Sequence, residues 1–410
     1  MTAERAYTVR AVHCDHRADD EEVYQALKRA TAPLARSWER LKSARRIAIK
    51  FNQAYRPEEL RYCGRHLQEL VSESVARATL RLLREQTNAE LVCAEISVFK
   101  RPADPGPEHT ITLNPLLREF GVPYLDGDAP PHQLYAVPGG GAMFRQYLLP
   151  EGVMGADAVV SVQKMKSHAF AGVTLCLKNL FGLTPREPCG RTRGYFHHFI
   201  RLPYVLADLG GLFQPALSIV DGLVAQAGRE WRGEARIGDC LVAGDQVIAT
   251  DACAAQLMGH DPTADWPSPP FHRDRNALRV AAEAGLGTVN LQEIDWTSEV
   301  QGPVAEFHAV ETDAPETVIR WRRSACEQAL YYRDRRQQFV ERYAGEYILL
   351  QDREVRWHGK NGEISQSRRV LAGPNVESAL WLKLVDPEEA EGEHFEVYER
   401  TLDQLNRGIT

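Results

Sequence analysis

The sequence has no Cys-x-x-Cys pair, no apolar run near the ~20 residues that a membrane-spanning helix needs, and no excess of positive charge. Each absence removes a class of function. The eight cysteines, at positions 14, 63, 93, 176, 189, 240, 253 and 326, are scattered, which argues against an iron–sulfur cluster, a structural zinc site or a dense disulfide framework. They are expected to be reduced, several of them as small core residues. The amino-terminal stretch meets Asp15, Asp19, Asp20, Glu21 and Glu22 without an apolar signal region, so a cytoplasmic chain with no membrane partner is expected. A net charge of −7 opposes nonspecific binding to nucleic acid and leaves any cation cluster to act locally. Gly139-Gly140-Gly141 has neither nucleotide-binding spacing nor a Gly-Lys-Ser/Thr ending, and no Gly-x-Ser-x-Gly elbow or cysteine nucleophile motif occurs.

What is present is a long βα alternation. Strands are expected at Arg46–Phe51, Glu90–Val98, Pro123–Leu125, Leu134–Val137, Ala156–Val162, Ala216–Val220 and Cys240–Val242. Helices are expected between residues 21 and 86 and near Leu113–Phe120, Ala171–Phe181, Ile200–Leu212, Ala252–Met258 and Asn276–Ala284. This order predicts an α/β fold with a mainly parallel sheet covered by helices over residues 1–310. The Pro-rich stretch 261–270 reads as a surface loop. A charged helix at Pro315–Arg342 and short strands after it predict a small α+β appendage over residues 325–410.

The most informative segment is Ser161-Val-Gln-Lys-Met-Lys-Ser-His168, followed by Lys178-Asn179-Leu-Phe-Gly182. If the strand continues, Lys164, Lys166 and His168 project to one side. Two ammonium groups about 7 Å apart repel by roughly 2 kcal/mol at an effective dielectric of about 20, so a compensating anion is required, internal or bound. Lys178 either sits as a helix-end cation, worth ~0.3–1 kcal/mol, or points into a cleft. Clustering at the carboxyl end of a strand is where open α/β sheets place ligands.

Ile49-Lys50-Phe-Asn52, Val160 to His168, Gly172-Val-Thr-Leu-Cys-Leu-Lys-Asn-Leu-Phe-Gly182 and Val220-Asp-Gly222 together resemble domain-of-unknown-function family 362, over roughly residues 45–300. Many members carry a ferredoxin-like cluster module, which implies redox associations, but the cysteine spacing for it is absent, so no iron–sulfur cluster is expected. A remoter similarity is to the amino-terminal region of nickel-pincer lactate racemases. By that comparison His168 resembles a proton-transfer histidine and Lys178 a cofactor-holding lysine. The family resemblance also singles out Lys50 and Asn52 as a strand-end pair.

Further candidates complete the set. His197 and His198 follow a basic loop with Arg191 and Arg193, which reads either as a solvated loop or as a lid for an anionic substrate. Asp221 ends an apolar run before Gly222 and is the expected partner of the lysines, whereas Asp251, placed before Ala252, is expected as a helix N-cap. The reading is an enzyme for a small carboxylate or phosphate. Lys164, Lys166, Arg191 and Arg193, with Lys50 and Asn52, would bind the anion; His168 or His198 would move a proton; Lys178 and Asn179 would polarise a carbonyl. Metal assistance by a divalent or redox-active ion on His168, His197, His198 and Asp221 is left open, as is a homodimer. The alternatives are a noncatalytic accessory protein of a redox or cofactor-assembly pathway, or a metal-binding protein.

Overall fold

Strands read as continuous apolar runs because helices cover both faces of the sheet they form. The structure, a computed structural model, describes residues 7–97, 99–186, 193–360, 362, 370–371 and 378–408. Its main sheet has nine strands, β1 (Tyr7–His13), β2 (Arg46–Phe51), β3 (Glu90–Glu95), β4 (Tyr124–Asp126), β5 (Ala158–His168), β6 (Gly172–Thr174), β7 (Leu217–Ala227), β8 (Glu234–Gly244) and β9 (Ile294–Ser298). The spatial order is β9-β1-β8-β7-β5-β2-β3-β4, with β6 folded back on β5. From β7 to β4 every neighbour is parallel, while β8 runs antiparallel to β1 and β7. The fold is therefore α/β with a mainly parallel sheet. Ile47, Ile49, Val160 and Val162 enter one helical layer, and Ala48, Val92 and Val159 the other.

The differences from the sequence reading have local causes. The helix expected at Ala171–Phe181 is instead strand β6, the one-turn helix Cys176–Asn179 and a 3-10 turn. Gly172, at φ +77°, reverses the chain there, and an added Cβ would stand 2.7 Å from the Phe271 ring. Strands β1 and β9 lie at one edge of the sheet and were not expected, because neither carries a long apolar run. The helix expected at Pro315–Arg342 breaks at Arg335 into Pro315–Asp334 and Arg336–Tyr343. Helix Val247–Leu257 begins earlier than expected and takes Gln246 as its N-cap, so Asp251 lies inside it. No helix among the described residues is long and apolar enough to cross a membrane.

A small antiparallel sheet follows, β10 (Tyr347–Gln351), β11 (Glu354–Gly359) and β12 (Trp381–Leu384), in the order β11-β10-β12. Trp381, Tyr332 and Tyr398 from this part share one hydrophobic cluster with Leu202 and Val205 of helix Arg201–Phe213. A buried charge network crosses the same junction. Glu393 lies 2.8 Å from the Arg201 guanidinium and 2.9 Å from the Lys383 ammonium, with all three side chains essentially inaccessible.

Burial alone would raise the Glu393 pKa, but Arg201 and Lys383 outweigh it and hold the carboxyl down to about 2 from its ordinary 4.5. A depressed carboxylate stabilises the fold above its unfolded pKa and loses that contribution as pH falls toward the folded one. Glu393→Gln should thus cost roughly 3–5 kcal/mol at neutral pH, by stranding the buried Arg201 guanidinium and leaving Lys383 with Glu389 alone, at 3.1 Å. Urea unfolding will measure this, and the gap to the parent protein should shrink below about pH 4.

Candidate functional site

The site is built where the parallel strands end. Pairing of Gly172 with His168 and of Thr174 with Lys166 keeps β5 extended to its last residue. Alternation then carries Lys164, Lys166 and His168 to one side, toward the segment 69–72 that precedes helix Glu73–Gln86. Lys164 is wholly buried, its ammonium 2.8 Å from Asp221 and 3.1 Å from the Ser72 hydroxyl. Lys166 donates to the Glu69 carbonyl at 2.8 Å and stands 4.4 Å from the centre of the Trp231 ring. Lys50 pairs with Glu95 at 2.6 Å and donates to the Asn179 side-chain oxygen at 3.0 Å.

Lys50, Asn52, Lys166, His168, Lys178 and Trp231 line one cavity of about 70 Å³. Two more of its polar atoms, the side-chain oxygens of Asn52 and Thr174, are buried and have no hydrogen-bond partner among the described residues. His168 accepts backbone N–H bonds at Nδ1 from Phe170 at 3.0 Å and Ala171 at 3.1 Å. That places the proton of the neutral ring on Nε2. The Lys178 ammonium lies 4.5 Å from the Phe181 ring centre. Burial pushes the Lys166 ammonium down to about 7, against the opposing pull of Glu69 and Glu230. A buried lysine brought to this range can both give and take a proton near neutrality.

Helix Cys176–Asn179, which carries Lys178, is a single turn and cannot hold itself. The Asp251 carboxylate accepts the N–H groups of Cys176 at 2.9 Å and Leu177 at 2.7 Å, so it caps this helix rather than its own. Burial raises its pKa to about 7, with the two N–H donors opposing. Asn179 donates to the Lys50 carbonyl at 2.8 Å and the Ser161 hydroxyl at 3.0 Å. Its amide joins β2, β5 and the helix and is already engaged, which separates it from the carbonyl-polarising role expected of it.

Several expectations need correction. Lys164 does not line the cavity, because the register that sets Lys164 opposite Asp221 closes the two on each other. Asp221 accepts from Lys164, from the Ser72 N–H at 2.7 Å and from the Leu223 N–H at 3.2 Å, which leaves it engaged as a structural anion. His198 turns away, with Nε2 2.6 Å from the Leu380 carbonyl at the carboxyl-terminal sheet. His197 is the one that faces the site, its ring stacked at 5.6 Å on His168. The candidate metal ligands His168, His197 or His198, and Asp221 are thus not gathered at one point. Among the described residues, a tight cluster of ligand atoms occurs at exposed Asp15 with His16 and Asp239. Arg191 lies outside the described residues, and Arg193 opens the short helix Arg193–Phe196.

The sequence reading missed Glu69, Glu95, Glu230 and Trp231. Glu95 had a usable signal, since it closes the apolar run Leu91 to Ala94 just as Asp221 closes its own. Glu230 and Trp231 come from the β7–β8 hairpin, where only an aromatic residue amid charges marked the place. A larger cavity of about 950 Å³ lies between the Pro-rich loop and helix Glu396–Asn406. Its Arg275 is already paired with Asp265 at 2.7 Å and Glu283 at 2.8 Å.

Comparison with known proteins gives three findings. The model of the family described as "Domain of unknown function (DUF362)" matches residues 47–256, half of the chain. A thylakoid-associated protein, sll1697, of Synechocystis sp. is 31% identical over 125 residues, 29% of this chain and 38% of that protein's length. The solved lactate racemase apoprotein of Thermoanaerobacterium thermosaccharolyticum is similar over 52% of this chain and 50% of its own, with 15% identity and a TM-score of 0.34.

Two outcomes test the geometry. A lysine whose pKa is lowered on folding costs the fold most when both states are protonated, so stability rises with pH between about 7 and the ordinary 10.5. The rise from Lys166 should reach up to about 1.4 kcal/mol per pH unit, and chemical denaturation of Lys166→Met should show it flattened. At Gly182 an added Cβ would lie 2.7 Å from Lys50 Cε and 2.8 Å from Glu95 Oε1. Gly182→Ala should accordingly cost about 1–3 kcal/mol by the same measurement.

Proposed function

We propose that this chain, which belongs to the DUF362 family, is an enzyme that binds a small anion in the cavity at the carboxyl edge of its sheet and moves a proton on it. One observation carries the reading: Lys166, His168 and Lys178 converge on a single cavity that also holds the unpartnered oxygens of Asn52 and Thr174. Buried polar atoms without partners are uncommon in folded proteins and favour a polar occupant. Lys178 supplies the charge that holds a carboxylate or phosphate, a charge-assisted contact worth about 1.5–3 kcal/mol. His168 offers a proton from Nε2, and Lys166, brought to about 7 by burial, takes or returns one. Lys50 stays with Glu95 in the cavity wall, and Lys164 stays with Asp221 outside the lining.

The cytoplasm suits this chemistry. Seven cysteines among the described residues are free thiols, and burial pushes those of Cys93 and Cys240 up to about 12, far from reactive.

Calorimetry with inorganic phosphate and a panel of two- to four-carbon carboxylates tests binding. Lys178→Met should weaken a bound anion by about tenfold or more, equivalent to about 1.4 kcal/mol. Incubation of bound carboxylates in D₂O should show deuterium entering at carbon with the parent protein and not with His168→Asn, whose melting temperature should stay within about 4 °C of the parent. Unchanged affinity in Lys178→Met together with full exchange in His168→Asn would overturn the proposal.

A further inference from the structure

We infer that Lys166 forms an imine with the carbonyl carbon of a small 2-oxo acid whose carboxylate is held by Lys178. The inference rests on the anion-binding reading of the cavity and names its substrate class. It starts from a contrast among buried lysines. Lys50, Lys164 and Lys383 each have a carboxylate oxygen close by, at 2.6, 2.8 and 2.9 Å. Lys166, as deeply buried, has no carboxylate within ion-pair distance among the described residues; its hydrogen bond goes to the Glu69 carbonyl, and the Trp231 ring lies beneath it. A carbonyl and a ring face can each take one N–H. These account for both hydrogens of a neutral amine and leave the nitrogen lone pair for an electrophile in the cavity it lines.

Lone-pair chemistry selects the ligand. Phosphate offers an amine no carbon to bond, whereas a carbonyl next to a carboxylate offers carbon and anion together. The cavity, at about 70 Å³, clears the ~10–15 Å³ needed to admit a single water and is small enough to exclude long-chain acids. That suits a two- or three-carbon 2-oxo acid.

The step balances within the site. The Lys166 nitrogen pair attacks the carbonyl carbon, and the C=O π pair moves to oxygen, which takes the proton from His168 Nε2. The nitrogen proton returns to His168; the carbinolamine hydroxyl then leaves as water with the proton of His168 Nε2 while the nitrogen pair forms C=N, and the last nitrogen proton passes back to His168 to leave the neutral imine. Amine and ketone give imine and water, with no oxidant or reductant consumed. Burial, which brings the Lys166 ammonium to about 7, supplies the neutral amine this needs near neutral pH.

The experiment treats the full chain with glyoxylate or pyruvate and sodium cyanoborohydride, whose hydride reduces a C=N bond to a stable secondary amine. Intact mass should rise by one carboxymethyl or 1-carboxyethyl group, and peptide mapping should place it on Lys166. Lys166→Met should lose the adduct, and His168→Asn should form it at least about tenfold more slowly. Adduct formation on surface lysines alone, equal in parent and Lys166→Met, would overturn the inference. So would tight glyoxylate binding by calorimetry with no adduct, and in that case the anion-binding reading stands. Neither binding nor adduct with any small carboxylate or phosphate would remove both. Because the map locates the adduct in the parent protein, the result does not depend on how the variants fold.

Discussion

The buried pair of Lys164 and Asp221 is the constraint on which the site depends. The two residues sit opposite each other on adjacent parallel strands, at the last position before the β7 register slips from Asp221 to Gln226. Taking both charges out of water is costly, and leaving either alone would cost more, so the pair fixes where β5 and β7 stay side by side. Beyond it β7 bulges, meets β5 again where Gln226 pairs with Lys166, and runs on into the hairpin that carries Glu230 and Trp231. Both hairpin residues line the cavity beside Lys166 and His168. Ser72 joins the pair through both its N–H and its hydroxyl, which fixes the start of helix Glu73–Gln86 and with it the Glu69 carbonyl that receives Lys166.

Around this anchor the polypeptide sorts its cations by position along the strands. Lys50 and Lys164 are matched to carboxylates along the strands, while Lys166 and His168 lie one and two alternations further out, where Lys166 meets neutral Gln226 and Thr174 on the flanking strands and Glu230 lies 3.6 Å from His168. The helix with Lys178 reaches the same space from the other side because β6 reverses at Gly172 and Asp251 holds the new helix start. An ion-paired lysine and a lysine without a carboxylate partner among the described residues thus stand two positions apart on one strand.

Much of this grouping was legible in the sequence, since a two-residue alternation of Lys, Lys and His at the end of an apolar run fixes their side of the sheet. What alternation cannot give is which member meets an anion, because that depends on strand register; Lys164 was therefore grouped with residues that serve differently. Adjacent His197 and His198 posed the same problem in a helix-entry segment, and only the packing of the carboxyl-terminal sheet assigns them. The fold class followed from βα alternation, yet β1 and β9 escaped notice as short strands at a sheet edge. Asp251 was read from its sequence neighbours as a cap for the following helix, when burial and topology aim it at another one. Glu69 and Trp231 come from segments brought in by long-range pairing, which local pattern does not encode.

The closure at Asn179 and Gly182 bears on how far a short motif can be trusted. Asn179 knots two strands to a helix, and Gly182 is small because the Lys50–Glu95 pair occupies the room a side chain would need. Both serve the architecture of the sheet edge. A protein sharing only the Lys178-Asn-Leu-Phe-Gly182 pattern would inherit the way the edge is sealed, while the lining of the opening would still be set by the residues at the positions of Lys166, His168 and the hairpin with Trp231.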